Sequence, residues 1–199
     1  MKIAIIGGSG KLGMGFVARL GMTKHEVAIG TRDVSKVEAA VRALTNSDAA
    51  AWCDAALVTV PYAAHRAIVG PLKAPLAKKL VIDATVPIDF QNLFRPRTES
   101  GNSAAEETLA MLGESDVYAA FQTISHRILQ DPGHSEDTMV AGPPARKPDV
   151  MQLVRDLNLR PVDAGPLEAA RLLECMTLLL ISINKQNKVK ESGLRVTGI

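Results

Sequence analysis

The chain has 199 residues, of which 47% are hydrophobic and 22% are charged, as is typical of a globular protein that buries a full core. Its 23 basic and 21 acidic side chains leave a net charge of +2, which gives no reason to expect a nucleic-acid or membrane partner. The longest apolar run, residues 176–183, is too short to span a bilayer, and the two cysteines lack the spacing of metal ligands.

Short β-rich runs alternate with helical runs along the first part of the chain. The predicted strands are residues 3–6, 26–29, 55–60 and 80–84. The predicted helices are residues 12–20 and 64–72, and a third helix that Asp33 or Ser35 caps and that presents Val37, Ala40, Val41 and Leu44 on one face. This alternation predicts an open parallel sheet with right-handed crossovers.

The rest of the chain continues the pattern. The further predicted strands are residues 117–121, 138–141 and 160–163. The further predicted helices are residues 148–157 and 167–188, and Gly193 can end the last helical turn. Residues 86–103 contain no clear element. A connection of this length often covers a functional site.

A glycine-rich turn joins the first strand to the first helix. Residues 7–13, GGSGKLG, contain G-x-G-x-x-G. In this context Gly8 permits the tight turn, Gly10 lets the backbone approach a pyrophosphate, and Gly13 lets helix and strand pack closely. The pattern predicts an α/β, Rossmann-type, doubly wound and mostly parallel sheet, although a glycine-rich turn without a ligand stays open. The predicted cofactor-binding residues of the turn are Gly8, Ser9, Gly10, Lys11, Leu12 and Gly13.

The end of the second strand carries cations where an NAD-specific site usually has an acidic residue. Thr31 offers a hydroxyl, Arg32 a guanidinium and Lys36 an ammonium, all of which would pair with a 2′-phosphate. Asp33 is interpreted as a helix cap. The residues therefore favour NADP(H) over NAD(H), and the alternative is an exposed arginine on a solvated loop.

The chain resembles the NADPH-dependent coenzyme F420 reductases, also called 8-hydroxy-5-deazaflavin:NADP oxidoreductases. The resemblance begins in residues 5–13, 30–32 and 58–61, and continues in the PVDAGPL run of residues 161–167 and in residues 171–172 and 174–177. It spans nearly the whole chain, and the PVDAGPL run is more specific than the glycine turn.

This resemblance implies a reversible hydride transfer between NADP(H) and coenzyme F420. It implies a Rossmann domain at residues 1–163 and a helical part at residues 164–199 that completes the cleft and forms a homo-oligomer interface. It places Ser9, Thr31, Arg32 and Lys36 around the 2′-phosphate, and Val60 and Pro61 along the nicotinamide. The substrate-binding residues that it implies are Gln122, Ile124, Thr177 and Ile181. Because hydride passes directly between two rings, we expect no catalytic side chain and no metal.

Two departures from the family pattern matter. The family usually has His-Thr-Ile-Pro where this chain reads Gln122-Thr123-Ile124-Ser125, and a glutamine can donate a hydrogen bond to a carbonyl but cannot carry a proton. The segment between Leu44 and Asp54 is also about ten residues shorter than in the family. We therefore expect the third Rossmann strand to be missing or vestigial.

The replacement by Gln122 keeps other functions open. One is an NADPH-dependent reductase of a flavin, an imine or a small carbonyl compound, and another is a non-catalytic redox sensor that binds NADP(H). His65 and His126 are candidates to approach the cofactor or to replace the family histidine, and Arg95 and Arg97 could meet an anionic tail of a second substrate. We expect a small-molecule co-substrate, and a cytoplasmic protein because no cleavage site follows the N-terminal apolar run.

Overall fold

A computed structural model of the chain describes residues 1–37, 41–91, 98 and 100–199. Within these residues eight strands form one sheet in the order β3-β2-β1-β4-β5-β6-β7-β8. The strands are β1 Lys2–Ile6, β2 Glu26–Thr31, β3 Arg42–Thr45, β4 Ala55–Val58, β5 Leu80–Asp83, β6 Asp116–Ala120, β7 Asp137–Ala141 and β8 Arg160–Asp163. The first six are parallel, β7 is antiparallel to β6, and β8 is parallel to β7. The predicted mostly parallel Rossmann sheet is confirmed.

Helices cover both faces of the sheet. They are α1 Lys11–Leu20, α2 Asn46–Trp52, α3 Tyr62–Val69, α4 Ala104–Leu112, α5 His126–Gln130, α6 Lys147–Asp156 and α7 Ala170–Asn187. Along β1, Ile3 and Ile5 pack in an apolar cluster with α1, α5 and α6, whereas Ala4 and Ile6 pack in a second cluster with α2, α3, α4 and α7. This alternation is the period of two of a strand buried on both faces, and it makes the fold doubly wound.

The predicted helix after Asp33 is wrong. Asp33 caps only a 3₁₀ turn, Val34–Lys36, and residues 42–45 form β3, which pairs in register with β2 from Ala28↔Arg42 to Thr31↔Thr45. Ala40 of the predicted helical face lies outside the described residues. The third Rossmann strand is therefore present despite the shortened segment. The spacing of apolar residues suggested a helical face, but pairing with the edge of the sheet decided the conformation, as tertiary context often does for short edge strands.

The last helix ends earlier than Gly193. It stops at Asn187, and Lys188 adopts a left-handed conformation with φ of 55°. The tail of residues 188–199 then returns to β7, where Asp137 donates its backbone N–H to the Leu194 carbonyl at 3.2 Å and the Asp137 carboxylate accepts from the Val196 N–H at 2.6 Å. This return brings the tail next to the carboxyl half of α7. No helix within the described ranges is long and apolar enough to cross a membrane.

Candidate active site

The glycine turn follows β1 and leads into α1. Gly7, with φ of 76°, is its left-handed residue, whereas the sequence suggested that Gly8 makes the tight turn. The N–H groups of Gly7 and Gly8 both donate to the Gly30 carbonyl at 3.0 Å, which ties the turn to β2. A Cβ at Gly13 would lie 2.5 Å from the Cα of Gly8, so the missing side chain at Gly13 lets α1 pack closely against the turn. The first turn of α1 keeps its N–H groups for a ligand because Gly10, its N-cap, has no side chain to cap it.

A first cavity of about 540 Å³ opens beside β2, and we call it the β2-side cavity. The predicted 2′-phosphate residues Ser9, Thr31, Arg32 and Lys36 all line it. The Ser9 and Thr31 hydroxyl oxygens lie 3.4 Å apart, and Lys36 pairs with Asp33 at 3.1 Å. Arg32 is exposed, and it has no ion-pair partner among the residues that the structure describes. The cavity therefore offers the guanidinium of Arg32, unpaired within the described part of the chain, and the ammonium of Lys36, which Asp33 already shares.

A second cavity of about 480 Å³ lies between the sheet and α7, and we call it the α7-side cavity. The four predicted substrate residues Gln122, Ile124, Thr177 and Ile181 all line it. Lys11 and Leu12 of the glycine turn also reach this cavity, whereas Gly8 and Gly13 support the turn and line neither cavity. The two cavities share the residues Gly7, Gly10, Val60 and Pro61. They are therefore adjoining parts of one cleft, along the carboxyl ends of β2, β1, β4, β5 and β6, as in open α/β sheets generally.

Gln122 is fixed in the wall of the α7-side cavity. Its Nε2 donates to the Asp83 carbonyl at 2.8 Å, and its buried Oε1 has no hydrogen-bond partner among the residues that the structure describes. The preceding residue, Phe121, has φ of 72°, which is strained for a phenylalanine, and its ring packs edge-on against Phe16 with centroids 5.0 Å apart. The side chain of Gln122 and the backbone of the preceding Phe121 are therefore both constrained.

His65 does not approach the cleft, contrary to one interpretation of the sequence. It lies on α3 with its side chain buried, and its Nε2 lies 3.0 Å from Asp83 Oδ2 and 2.8 Å from Thr108 Oγ1. Burial lowers the pKa of His65, but the hydrogen bond and charge of Asp83 outweigh it and hold that pKa above its ordinary value. Burial raises the pKa of Asp83, but His65 and Thr108 outweigh it and hold that pKa below its usual range. The pair holds the end of β5, whose carbonyl orients Gln122.

Other candidates from the sequence have mixed outcomes. His126 begins α5 and lines the α7-side cavity, so it stays a candidate for the role of the family histidine. Arg95 and Arg97 lie outside the described residues. The sequence reasoning missed Thr85 and Asn184, which line the same cavity. Thr85 follows a predicted strand end, which is a usable signal, whereas nothing local distinguishes Asn184 on its long helix.

The chain is similar to known proteins over its whole length. Residues 2–87 match the family described as NADP oxidoreductase coenzyme F420-dependent. The F420-dependent NADP reductase of Methanothermobacter marburgensis is 35% identical over 225 residues, covering 100% of this chain and 99% of the relative. The chain belongs to this family. The reductase of the same name from Methanocaldococcus jannaschii is 32% identical, with the same coverage.

A solved structure supports the fold of this NADP oxidoreductase. A putative F420-dependent NADP reductase from Arthrobacter sp. FB24 superposes with a TM-score of 0.87 at 24% identity, and each chain is covered completely. Family membership confirms the resemblance stated from the sequence, and it confirms that the chain is an NADP-linked oxidoreductase.

Proposed function

We propose that this oxidoreductase transfers hydride between NADP(H) and coenzyme F420. The observation that carries the proposal is the pair of adjoining cavities, which share Gly7, Gly10, Val60 and Pro61. A dinucleotide with its phosphates on the glycine turn can extend one end into the β2-side cavity and the other towards the α7-side cavity. The relatives named F420-dependent NADP reductases support a deazaflavin as the second ring.

The β2-side cavity and the glycine turn suit NADP(H). The uncapped first turn of α1 directs N–H donors and a positive dipole end at the turn, which is the usual site of a pyrophosphate. Arg32, supported by Ser9, Thr31 and Lys36, would then hold the 2′-phosphate. The proposed pyrophosphate segment comprises Gly8, Gly10, Lys11, Leu12 and Gly13.

The α7-side cavity suits the hydride step. When bound, the nicotinamide and the deazaflavin supply the hydride chemistry themselves, through C4 and C5. The protein holds the two rings face to face and keeps water away, for which Val60, Pro61, Ile124 and Ile181 offer apolar contacts. Thr177 donates its hydroxyl to the Leu173 carbonyl at 3.1 Å, so its methyl group and oxygen have a fixed orientation. No side-chain nucleophile is needed for this reaction.

The second candidate is reduction of another acceptor by NADPH. Gln122, in place of the family histidine, favours this candidate because the residue at that position faces the second ring in our proposal.

One assay separates the candidates. Purified protein with NADPH should bleach the visible absorbance of oxidised deazaflavin. NADPH binding is measured separately by fluorescence. If the protein binds NADPH but does not bleach deazaflavin, F420 is refuted as the acceptor. Turnover with a flavin, an imine or a carbonyl compound would then identify the alternative. A redox sensor would bind NADPH without oxidising it, whichever acceptor is supplied.

We also propose that the protein forms homo-oligomers through α7. Four apolar side chains of α7 are exposed: Leu172 by 65%, Met176 by 39%, Leu179 by 56% and Ile183 by 38%. Their spacing of four, three and four residues places them in one apolar stripe along the helix. Thr177 and Ile181 on the same helix line the cavity, so the interface would adjoin the site. Leu179→Glu should shift sedimentation towards the monomer, whereas Lys185→Glu should not. An unchanged sedimentation profile for Leu179→Glu would refute this interface.

Two organisational proposals remain. We propose residues 1–163 as the NADP-binding domain and residues 164–199 as the helical part, supported by the end of β8 at Asp163. We propose a cytoplasmic location, supported by the free thiols of Cys53 and Cys175, which a reducing compartment preserves. Limited proteolysis after residue 163 and fractionation of the source cells would test the two proposals.

A further inference from the structure

Asn46 lies in the wall of the β2-side cavity, next to the proposed 2′-phosphate residues. It is the first residue of α2, directly after β3, and it lines the cavity together with Arg32. The strands β2 and β3 are parallel, and Thr31 pairs with Thr45. Arg32 and Asn46 therefore follow the same paired position on neighbouring strands, which are about 4.8 Å apart. The Asn46 side chain thus starts close to the phosphate that Arg32 would hold.

The glycine turn fixes which end of the Asn46 amide is available. Gly7 shares its N–H between the Gly30 carbonyl at 3.0 Å and Asn46 Oδ1 at 3.3 Å. A flipped amide would set two N–H groups against each other, so the oxygen is turned towards Gly7 and Nδ2 is turned away from it. Asn46 is half-buried, and its Nδ2 has no hydrogen-bond partner within the described residues and keeps contact with solvent. This nitrogen is therefore available to donate to a ligand in the cavity.

Gly30 makes room for this amide. A Cβ at Gly30 would lie 2.9 Å from Asn46 Oδ1 and 3.3 Å from the Cβ of Ala49. A side chain at Gly30 would therefore push Asn46 off the glycine turn. Gly30 directly precedes Thr31 and Arg32, so one short run of the chain both supplies the proposed phosphate ligands and seats Asn46 beside them.

We propose that Asn46 is a specificity-determining residue for the cofactor and that its Nδ2 donates to the 2′-phosphate of NADPH. The cavity then recognises the phosphate with cations that follow β2 and with a neutral donor that follows β3. The proposal rests on the proposed NADP(H) site and deepens it. Because Oδ1 stays on Gly7, Asn46 also connects the 2′-phosphate to the turn that would hold the pyrophosphate. An aspartate at this position would keep the acceptor for Gly7, but it would repel the phosphate and accept the ribose hydroxyl of NADH instead.

The test measures the dissociation constants of NADPH and NADH in Asn46→Asp by fluorescence titration. NADPH binding should weaken roughly 20- to 100-fold, because a carboxylate would face the phosphate. NADH binding should tighten or stay within about threefold of its value in the unmutated protein, because the carboxylate can accept from the 2′-hydroxyl. Ser47→Asp is the matched control, since it adds the same charge at the next, exposed residue of α2, which does not line the cavity. It should change NADPH binding by less than about threefold at physiological salt.

Asn46→Ala tests the donor without adding a charge. The ratio of NADPH affinity to NADH affinity should fall roughly tenfold, the lower end of the loss expected for a hydrogen bond to a charged group. This ratio is the readout, because loss of the contact with Gly7 would weaken both nucleotides alike. Thermal unfolding confirms that each variant is folded.

Each outcome decides the inference. An Asn46→Asp protein that keeps its NADPH affinity or loses both nucleotides equally would overturn it, and so would an unchanged affinity ratio in Asn46→Ala. If Arg32→Ser loses the preference for NADPH while both Asn46 variants keep it, the inference fails and the proposed cofactor site stands. If the unmutated protein binds NADPH and NADH equally, both fail together. Deazaflavin is absent from these titrations, so the identity of the second substrate does not affect the result.

Discussion

Replacing Arg32 with serine should remove most of the preference for NADPH over NADH. Arg32 lines the β2-side cavity, is exposed, and has no ion-pair partner among the described residues, so its guanidinium is placed to pair with a 2′-phosphate. A hydrogen bond to a charged group is worth about 1.5–3 kcal/mol, which corresponds to a roughly 10- to 150-fold weaker NADPH complex. NADH lacks the phosphate, so its dissociation constant should stay nearly unchanged.

Lys36 provides a matched comparison within the same cavity. It already pairs with Asp33 at 3.1 Å and is largely exposed, so its contribution to phosphate binding should be about 0.5–1 kcal/mol. Lys36→Ala should therefore weaken NADPH binding only about two- to fivefold. The double variant should deviate from additivity, because both cations would address one phosphate.

Fluorescence titration of NADPH and NADH at several salt concentrations measures these effects. NADPH affinity should fall as ionic strength rises, and it should fall less steeply in Arg32→Ser. Equal affinities of the unmutated protein for both cofactors would refute the assignment before any variant is made. An Arg32→Ser protein that loses both cofactors equally would show that Arg32 supports the loop instead.

Two predictions concern stability. Gly13→Ala places a Cβ 2.5 Å from the backbone of Gly8 and should lower the free energy of unfolding, measured by urea denaturation, by about 1–3 kcal/mol. Gly70→Ala should be nearly neutral, because the nearest neighbour of its Cβ is Met111 Sδ at 3.9 Å. Equal losses of stability in the two variants would refute the packing argument. Burial raises the pKa of Glu174 from 4.5 to about 9, so the folded protein keeps a proton that the unfolded chain releases, and the free energy of unfolding should fall as pH rises from about 4.5 to 9. The decrease should be on the order of 1 kcal/mol per pH unit at most, and Glu174→Gln should remove it. An unchanged pH profile in Glu174→Gln would contradict the assignment.

The sequence by itself determined the Rossmann unit and its cofactor turn. A buried strand, a glycine turn and an amphipathic helix are local patterns, and β1, α1 and β2 follow them because each pattern lies within one stretch of chain. The same holds for the helix from Ala170 onward, where apolar spacing continues over several turns. The family resemblance added the residues of the α7-side cavity, since Thr177 stands within a run that the chain shares with the family and Gln122 stands where the family usually has a histidine.

The tertiary structure alone decided the conformation of β3 and the contacts within the site. Residues 42–45 form a strand because the edge of β2 offers unpaired backbone groups, which no local pattern in those residues reveals. Gln122 is held in the cavity wall because its amide nitrogen donates to the carbonyl of Asp83, 39 residues earlier in the chain. Thr85 lines the same cavity because β5 pairs with β6, and Asn184 lines it because α7 packs beside the sheet. These contacts connect residues far apart in the chain, so only the folded arrangement of strands and helices determines them.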